Sequence, residues 1–340
     1  MRMRKFGNSG LIVSEISFGA MTFGGTDGIW GQVGRLGQEE ADALVKAALD
    51  AGINLFDTAN IYAHGRSEEI LGQSLKNLGV ARDDVVVATK AASAMGEGPN
   101  RRGGSRGHIL AEARASLKRL GLDHIDLYQI HAFDPATPIE ETLEALDTLV
   151  RAGDVNYVGL SNWAAWQIMK AIGITRARNL APITSLQAYY TLVGRELERE
   201  IAPLLSSEGV GLMVWSPLAG GYLTGKYSDG GDGAGGRQTD LDFPPIDRVR
   251  GEPLIEVLRA VADKHDSQPA QIAIAWLLKQ PVVSTVLVGA KRVEQLQANL
   301  RAIEIALDEE DMARLDAVSA LPNEYPGWSL AQTADRAVLA

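Results

Sequence analysis

Short apolar runs that stop at an ionisable residue, each followed by a stretch with helical spacing, recur along this chain and restrict its fold more than any other feature. In GINLFDTANIY, residues 52–62, the run 53–56 ends at Asp57 and a polar turn leads to Tyr62. VVVATK ends in Lys90 and IDLYQIH ends in His131. Apolar runs this short, bounded by glycine and polar turns, read as buried strands. Three of them finishing in charged or titratable groups converge on one rim, which in a closed parallel barrel is the catalytic face.

The alternation predicts strands at 16–19, 55–57, 85–90, 125–131, 155–161, 184–187, 211–216 and 285–288. Helices are expected at 38–51, 68–78, 108–120, 139–152, 164–171, 197–208, 254–265, 270–279 and 293–303. Pro269 stands at a helix start, and Gly153 stands where a left-handed residue closes a helix. Eight strand–helix units in one run of sequence favour a (β/α)8 TIM barrel over a doubly wound sheet. The expected organisation is a single domain over 1–340: an N-terminal β-hairpin at 3–14, a barrel over 16–303 and a C-terminal extension over 304–340 with a short helix near 309–317. Residues 22–37 read as irregular, and residues 218–250 form a long glycine-laden loop after strand seven. Such a loop counts against a regular barrel unless it has a function.

Composition narrows the chemistry. The 340 residues carry a net charge of −10, which argues against general affinity for nucleic acid or an anionic membrane surface. There is no cysteine, hence no disulfide, thiolate nucleophile or cysteine metal ligand. The five histidines form no HExxH or paired-spacing metal site. The basic amino terminus lacks a signal-peptide apolar stretch and no stretch approaches a membrane span, so the cytoplasm is the expected location.

The strand-end residues form a coherent chemical set. A tyrosine with an ordinary pKa near 10 gives up its proton reluctantly at neutral pH, and a cation beside the oxygen makes the phenolate less costly. Lys90 is the available cation, Asp57 can fix its ammonium group, and His131 can hydrogen-bond the oxygen that receives the proton. Protonating an alkoxide as it forms is what reduction of a carbonyl by hydride requires. A lyase or aldolase using Lys90 as a Schiff base would leave Asp57 and Tyr62 unemployed.

At these residues the chain resembles the aldo-keto reductase superfamily, in its bacterial and potassium-channel-beta-subunit-like branch, from Lys5 to about Leu315. The segments that carry the resemblance are GINLFDTANIYAHGRSEEILG, VVVATK, IDLYQIH, VGLSNW, SLQAYY, WSPLAGGYLTGKY and VGAKRVEQLQANL. It implies a catalytic set of Asp57, Tyr62, Lys90 and His131, with Tyr62 as the acid/base. Channel beta subunits of this kind commonly carry Asn at the position of His131, so the chain keeps the form expected of a working reductase. An NADPH-binding regulatory or sensor subunit with vestigial turnover is the alternative.

No G-x-G-x-x-G fingerprint stands at a credible strand-to-helix junction, so a nicotinamide cofactor would have to be bound by the barrel rim. The resemblance implies that Ser161, Asn162 and Gln187 hold the carboxamide and that Trp215 stacks on the nicotinamide. It assigns Ser216, Pro217, Leu218, Ala219 and Gly220, with Lys226 and Arg237, to the pyrophosphate, and Gln295 and Asn299 to the adenosine end. Ala20, Met21, Asp57 and Gly289 are counted in the same site. Lys291, a cation at a helix start where positive charge is unfavourable, reads independently as a 2′-phosphate site. NADPH is therefore expected over NADH. Substrate choice should fall to Met21, Trp30, the 91–107 loop, Trp163, the 218–240 loop and the tail around Trp328. The partner expected is a small-molecule carbonyl compound. Helix faces and the tail could also build a homo-oligomer, although the periodicity does not identify an interface.

Overall fold

The computed structural model describes residues 1–227, 241 and 243–332. The hairpin pairs β1 (Met3–Lys5) with β2 (Ile12–Ser14). The barrel strands follow in chain order as β3 (Ile16–Gly19), β4 (Leu55–Asp57), β5 (Val86–Ala91), β6 (Ile125–Ile130), β7 (Val155–Ser161), β8 (Ile183–Tyr189), β9 (Gly211–Trp215) and β10 (Val283–Val288). All neighbours are parallel, and β10 closes onto β3. The fold is a (β/α)8 TIM barrel with an N-terminal hairpin.

Between strands run α1 (Gly28–Val33), α2 (Gln38–Asp50), α3 (Arg66–Asn77), α4 (Arg106–Leu120), α5 (Ile139–Ala152), α6 (Ala165–Arg178) and α7 (Ile201–Glu208). Helices Arg248–Lys264, Pro269–Lys279, Val293–Leu300, Glu309–Ser319 and Gly327–Ala331 complete the described part. Among the described residues, no helix is long and apolar enough to cross a membrane.

Strand alternation divides the apolar residues into two layers. Phe56, Val87, Tyr128, Val158, Leu186 and Val214 face outward and pack against the helices. Leu55, Ala88, Leu127, Met213 and Leu287 face inward and meet Phe6 and Val13 of the hairpin segment, which closes the amino end of the barrel. Gly7 makes that closure fit. Its φ is +58°, and a Cβ there would lie 2.5 Å from the Gly211 nitrogen. With one end plugged by apolar side chains, inward-facing polar residues have only the carboxyl end from which to reach solvent.

Local departures from the expected elements have identifiable causes. Residues expected to be irregular include α1, six residues long and closed at Gly34, whose N–H returns to the Trp30 carbonyl. The helix expected to stop at residue 171 runs to Arg178, where Asn179 (φ 51°) supplies the left-handed stop. The helix expected over 197–208 is a single 3-10 turn, Glu196–Glu198, followed by α7. The one expected from residue 254 starts at Arg248, because the Asp247 side chain accepts from the Val249 and Arg250 amides.

Candidate active site

Strand register brings the polar inward residues to one level: Lys90 lies opposite Gln129, Gln129 opposite Gly159, Ser161 opposite Gln187 and Gln187 opposite Met213. Lys90 is fully buried and Asp57 nearly so. An ammonium group has three protons to place. Lys90 Nζ donates to Asp57 Oδ2 at 2.6 Å, to the Thr58 carbonyl at 2.8 Å and to Tyr62 Oη at 3.4 Å. Burial works to lower the Lys90 pKa, but the charges of Asp57 and Tyr62 and the hydrogen bonds to both hold it above its ordinary value. The second oxygen of Asp57 accepts from Gln187 Nε2 at 2.9 Å and from Gln129 Nε2 at 3.2 Å. The carboxylate is thus clamped by one cation and two amides.

Tyr62 opens a single 3-10 turn, Tyr62–Gly65, in which Ala63 (φ 47°) and His64 (φ 54°) are both left-handed. Gly65 follows at φ +92°. This reversal carries the phenol back over β5, where Lys90 Nζ is 5.0 Å from the ring centroid. Left-handed alanine and histidine cost energy, and such strain clusters at functional sites. His131 meets Tyr62 edge-on with centroids 5.8 Å apart. Burial, assisted by the Lys90 charge, pushes the imidazole pKa down to about 3, so His131 is neutral at physiological pH. Its buried Nδ1 has no hydrogen-bond partner among the described residues.

A cavity of about 1090 Å³ opens above these groups. Its lining includes Tyr62, His131, Met21, Asp57, Ser161, Asn162, Gln187, Trp215, Ser216, Pro217, Leu218, Gly220, Lys226, Gly289, Lys291, Gln295 and Asn299. Ala20 and Ala219 are fully buried and do not line it. Ala20 instead donates its N–H to the Asp57 carbonyl at 2.8 Å, and Ala219 donates to the Ser216 carbonyl at 2.9 Å. Arg237 lies outside the described residues.

All three expected carboxamide holders already have partners, Ser161 Oγ accepting from Asn162 Nδ2 at 3.1 Å. Gln187 Nε2 is committed to Asp57, as above. Asn162, left-handed at φ 59°, donates to the His131 carbonyl at 3.0 Å and accepts from Trp215 Nε1 at 3.0 Å. Trp215 itself stacks parallel with Phe243, centroids 5.8 Å apart, and packs against Tyr189 at 5.0 Å. The segment after β9 turns through left-handed Ser216 (φ 51°), Ala219 (φ 49°), Gly220 (φ 65°) and Gly221 (φ 93°), with the Gly220 N–H on Ser216 Oγ at 3.1 Å. Across the cavity, the Lys291 N–H donates to Gln295 Oε1 at 2.9 Å and Lys291 Nζ reaches the Gln32 carbonyl at 3.4 Å.

Several expected substrate walls lie elsewhere. Trp30 does line the cavity, 5.6 Å from Tyr62. Trp328 does not: it packs on Tyr325 at 5.9 Å, and the tail is tied down by Glu324 to Arg199. Trp163 is buried against Phe133 at 5.0 Å. The 91–107 loop also stays off the cavity, with Arg106 bonded to Glu141 and the Glu144 carbonyl. Ile29 and Phe243 supply the apolar wall instead. Sequence reasoning missed Gln129, although its signal was present: a polar residue two positions before His131, on the inward face of a buried strand.

The comparisons with known proteins agree with this fold. The family model described as the aldo/keto reductase family matches residues 15–320. A probable voltage-gated potassium channel subunit beta of Oryza sativa subsp. japonica is 39% identical over 329 residues, covering 94% of this chain and 96% of that protein. A protein of the same name from Arabidopsis thaliana is 39% identical over 313 residues, covering 90% and 92%. An uncharacterized oxidoreductase of Bacillus subtilis (strain 168), YrpG, is 37% identical over 328 residues, covering 94% and 96%. The family match spans the whole barrel, so this chain belongs to the aldo/keto reductase family of oxidoreductases.

Proposed function

We propose that the chain is an NADPH-dependent reductase that converts an aldehyde or ketone to the alcohol, reversibly, with Tyr62 as general acid. The observation that carries this reading is the buried Lys90 ammonium, held by Asp57 at 2.6 Å and reaching Tyr62 Oη at 3.4 Å. The cavity supports a dinucleotide reading: Tyr62, Lys226, Lys291, Arg292 and Asn299 all line its volume of about 1090 Å³.

Ser161, Asn162, Gln187 and Trp215 would hold the nicotinamide end, Ser216 to Gly220 with Lys226 the pyrophosphate, and Lys291, Gln295 and Asn299 the adenosine phosphate end. When bound, the reduced nicotinamide supplies the hydride. Tyr62 gives its phenolic proton to the carbonyl oxygen, and Lys90 stabilises the phenolate left behind. Asp57 keeps Lys90 charged and aimed. His131 stays neutral, so it orients the substrate oxygen by a hydrogen bond rather than competing as an acid.

The relatives named as potassium channel beta subunits favour a second reading, a cofactor-binding subunit with vestigial turnover. Following the near-ultraviolet absorbance of NADPH with an aldehyde and ketone panel, for the native chain and Tyr62→Phe, separates the two. Turnover that Tyr62→Phe abolishes, with cofactor quenching of tryptophan fluorescence intact, is the expected result. Quenching without turnover in the native chain would favour the sensor.

A further inference from the structure

Behind the cavity wall, helices α3 and α4 carry a set of ionised groups that the proposed chemistry does not use. Glu112 and Arg119 stand seven residues apart on α4, two turns on one face. Glu112 Oε2 accepts from Asn60 Nδ2 at 3.0 Å. Asn60 is fully buried two residues before Tyr62, and its N–H donates to the Lys90 carbonyl at 3.0 Å. Arg119 supports the other end of the turn: a Cβ on Gly65 would lie 2.6 Å from Arg119 Cδ. Arg119 Nε donates to the buried Glu68 at 2.5 Å, and Glu68 Oε1 accepts from Thr89, the neighbour of Lys90, at 2.6 Å. Arg119 also lies 3.6 Å from Glu112.

These ties grip the polypeptide on both sides of Tyr62 and next to Lys90. We infer that Glu112 is a positioning residue which, through Asn60, fixes the 60–65 turn against β5 and so sets the spacing between the Tyr62 hydroxyl and the Lys90 ammonium. The inference rests on the proposed reading of Tyr62 as the acid. Glu112 is the member that can be removed cleanly, because Arg119 keeps Glu68 as its partner and no buried charge is orphaned. Facing Tyr62 are the ionisable Lys90 from β5 and His131 after β6 and the uncharged Trp30 from α1, with Asp57 from β4 paired to Lys90. Those around Glu112 are Arg119, Glu68 and the Tyr128 phenol.

The full-length chain with Glu112→Ala and Glu112→Gln is compared with the native protein, using NADPH and a carbonyl compound that the native chain reduces. Glu112→Ala lowers kcat about 10-fold with the KM for NADPH unchanged, since a small misplacement of a reacting group is expensive. It also moves the alkaline limb of the rate profile to higher pH, as Tyr62 withdraws from Lys90. Glu112→Gln keeps an acceptor oxygen for Asn60 and returns kcat to within about 2-fold of native. Native kcat and an unmoved alkaline limb in Glu112→Ala overturn the inference, and so does equal loss in both variants. If Glu112→Ala does not fold, Asn60→Ala, which leaves Glu112 beside Arg119, carries the same expectation. Titration of Tyr62 by the NMR signal of its labelled ring carbon needs no turnover. A native chain that reduces nothing fails the reductase reading, whereas an unmoved Tyr62 titration in Glu112→Ala fails the positioning role.

Discussion

The two ends of the cavity are built on opposite plans. At the Tyr62 end, Asp57 and Lys90 are buried and Asp57 takes three side-chain hydrogen bonds, from Lys90, Gln129 and Gln187. At the Lys291 end, the cations Lys226, Lys291 and Arg292 are exposed on loop and helix-start positions, and Lys291 Nζ reaches the Gln32 carbonyl at 3.4 Å. On the proposed reading, the buried, tightly bonded groups stand where charge would develop during reaction, and the exposed cations stand where a phosphate would bring its own charge. On the same reading, the Tyr62 end cannot move without exposing the buried Asp57–Lys90 pair.

The sharpest way to break this contrast is Lys90→Met. It leaves the buried Asp57 carboxyl with only amide donors, so we expect a stability loss of about 3 kcal/mol and a fall in kcat of about 1000-fold. Urea unfolding and steady-state rates measure both. Unchanged stability would mean that the buried Asp57–Lys90 pair does not hold this end of the barrel together.

His131 tests the same end through pH. Its pKa is held near 3 by burial and by Lys90, whereas an unfolded histidine titrates near 6.5. Below about pH 6.5 the unfolded chain takes up a proton that the folded chain refuses, so folding loses stability as pH falls from there toward 3. His131→Asn removes this penalty. Relative to its own value at pH 7, the variant at pH 5 should retain about 2 kcal/mol that the native chain loses, as read from melts at the two pH values. Equal losses would place His131 outside the buried cluster.

At the other end, Lys291→Ala should raise the KM for NADPH about 10-fold, leave kcat unchanged and erase the preference over NADH. A fall in kcat instead would show that the two ends are coupled, through Gln32 and the α1 helix that carries Trp30.

This contrast also explains what the sequence could disclose. The barrel was legible because eight apolar runs alternate with helical spacing, and a strand cannot hide its period. Asp57, Lys90 and His131 were legible because each interrupts or ends such a run. Tyr62 stands in a turn with no periodicity, and it was reached by following the polar turn beyond Asp57 to the one phenol that a cation such as Lys90 could serve. The α1 helix was not legible, since Gly28 and Gly31 weaken any helical signal there. The Glu112–Asn60 and Gln187–Asp57 contacts join residues 52 and 130 positions apart, and only strand register and helix packing bring them together. Trp328 was expected at the cavity because aromatic residues suit such walls, but the Glu324–Arg199 pair ties its segment elsewhere.

A pair far from the cavity offers the control for all of these. Asp311, fully buried in the first turn of Glu309–Ser319, accepts from Lys264 at 2.8 Å and sits 2.7 Å from His265, and its carboxylate and that of Asp308 each accept the other's backbone N–H. Burial works to raise its pKa, but the bonds from Lys264, His265 and the Asp308 amide, with the Lys264 charge, lower it to about 2. The contribution to stability is therefore complete above the ordinary carboxyl value of 3.8 and is lost as pH falls through about 2. Lys264 is 40% exposed, so water screens the pair, and Asp311→Asn should cost about 1 kcal/mol at pH 7. The gap between native and variant in urea unfolding should narrow between about pH 4 and 2, with kcat unchanged throughout. Asp311 thus has the buried carboxylate and ammonium partner of Asp57 without a tyrosine beside them, and a change in kcat there would mean that the pair serves more than the packing of a C-terminal helix.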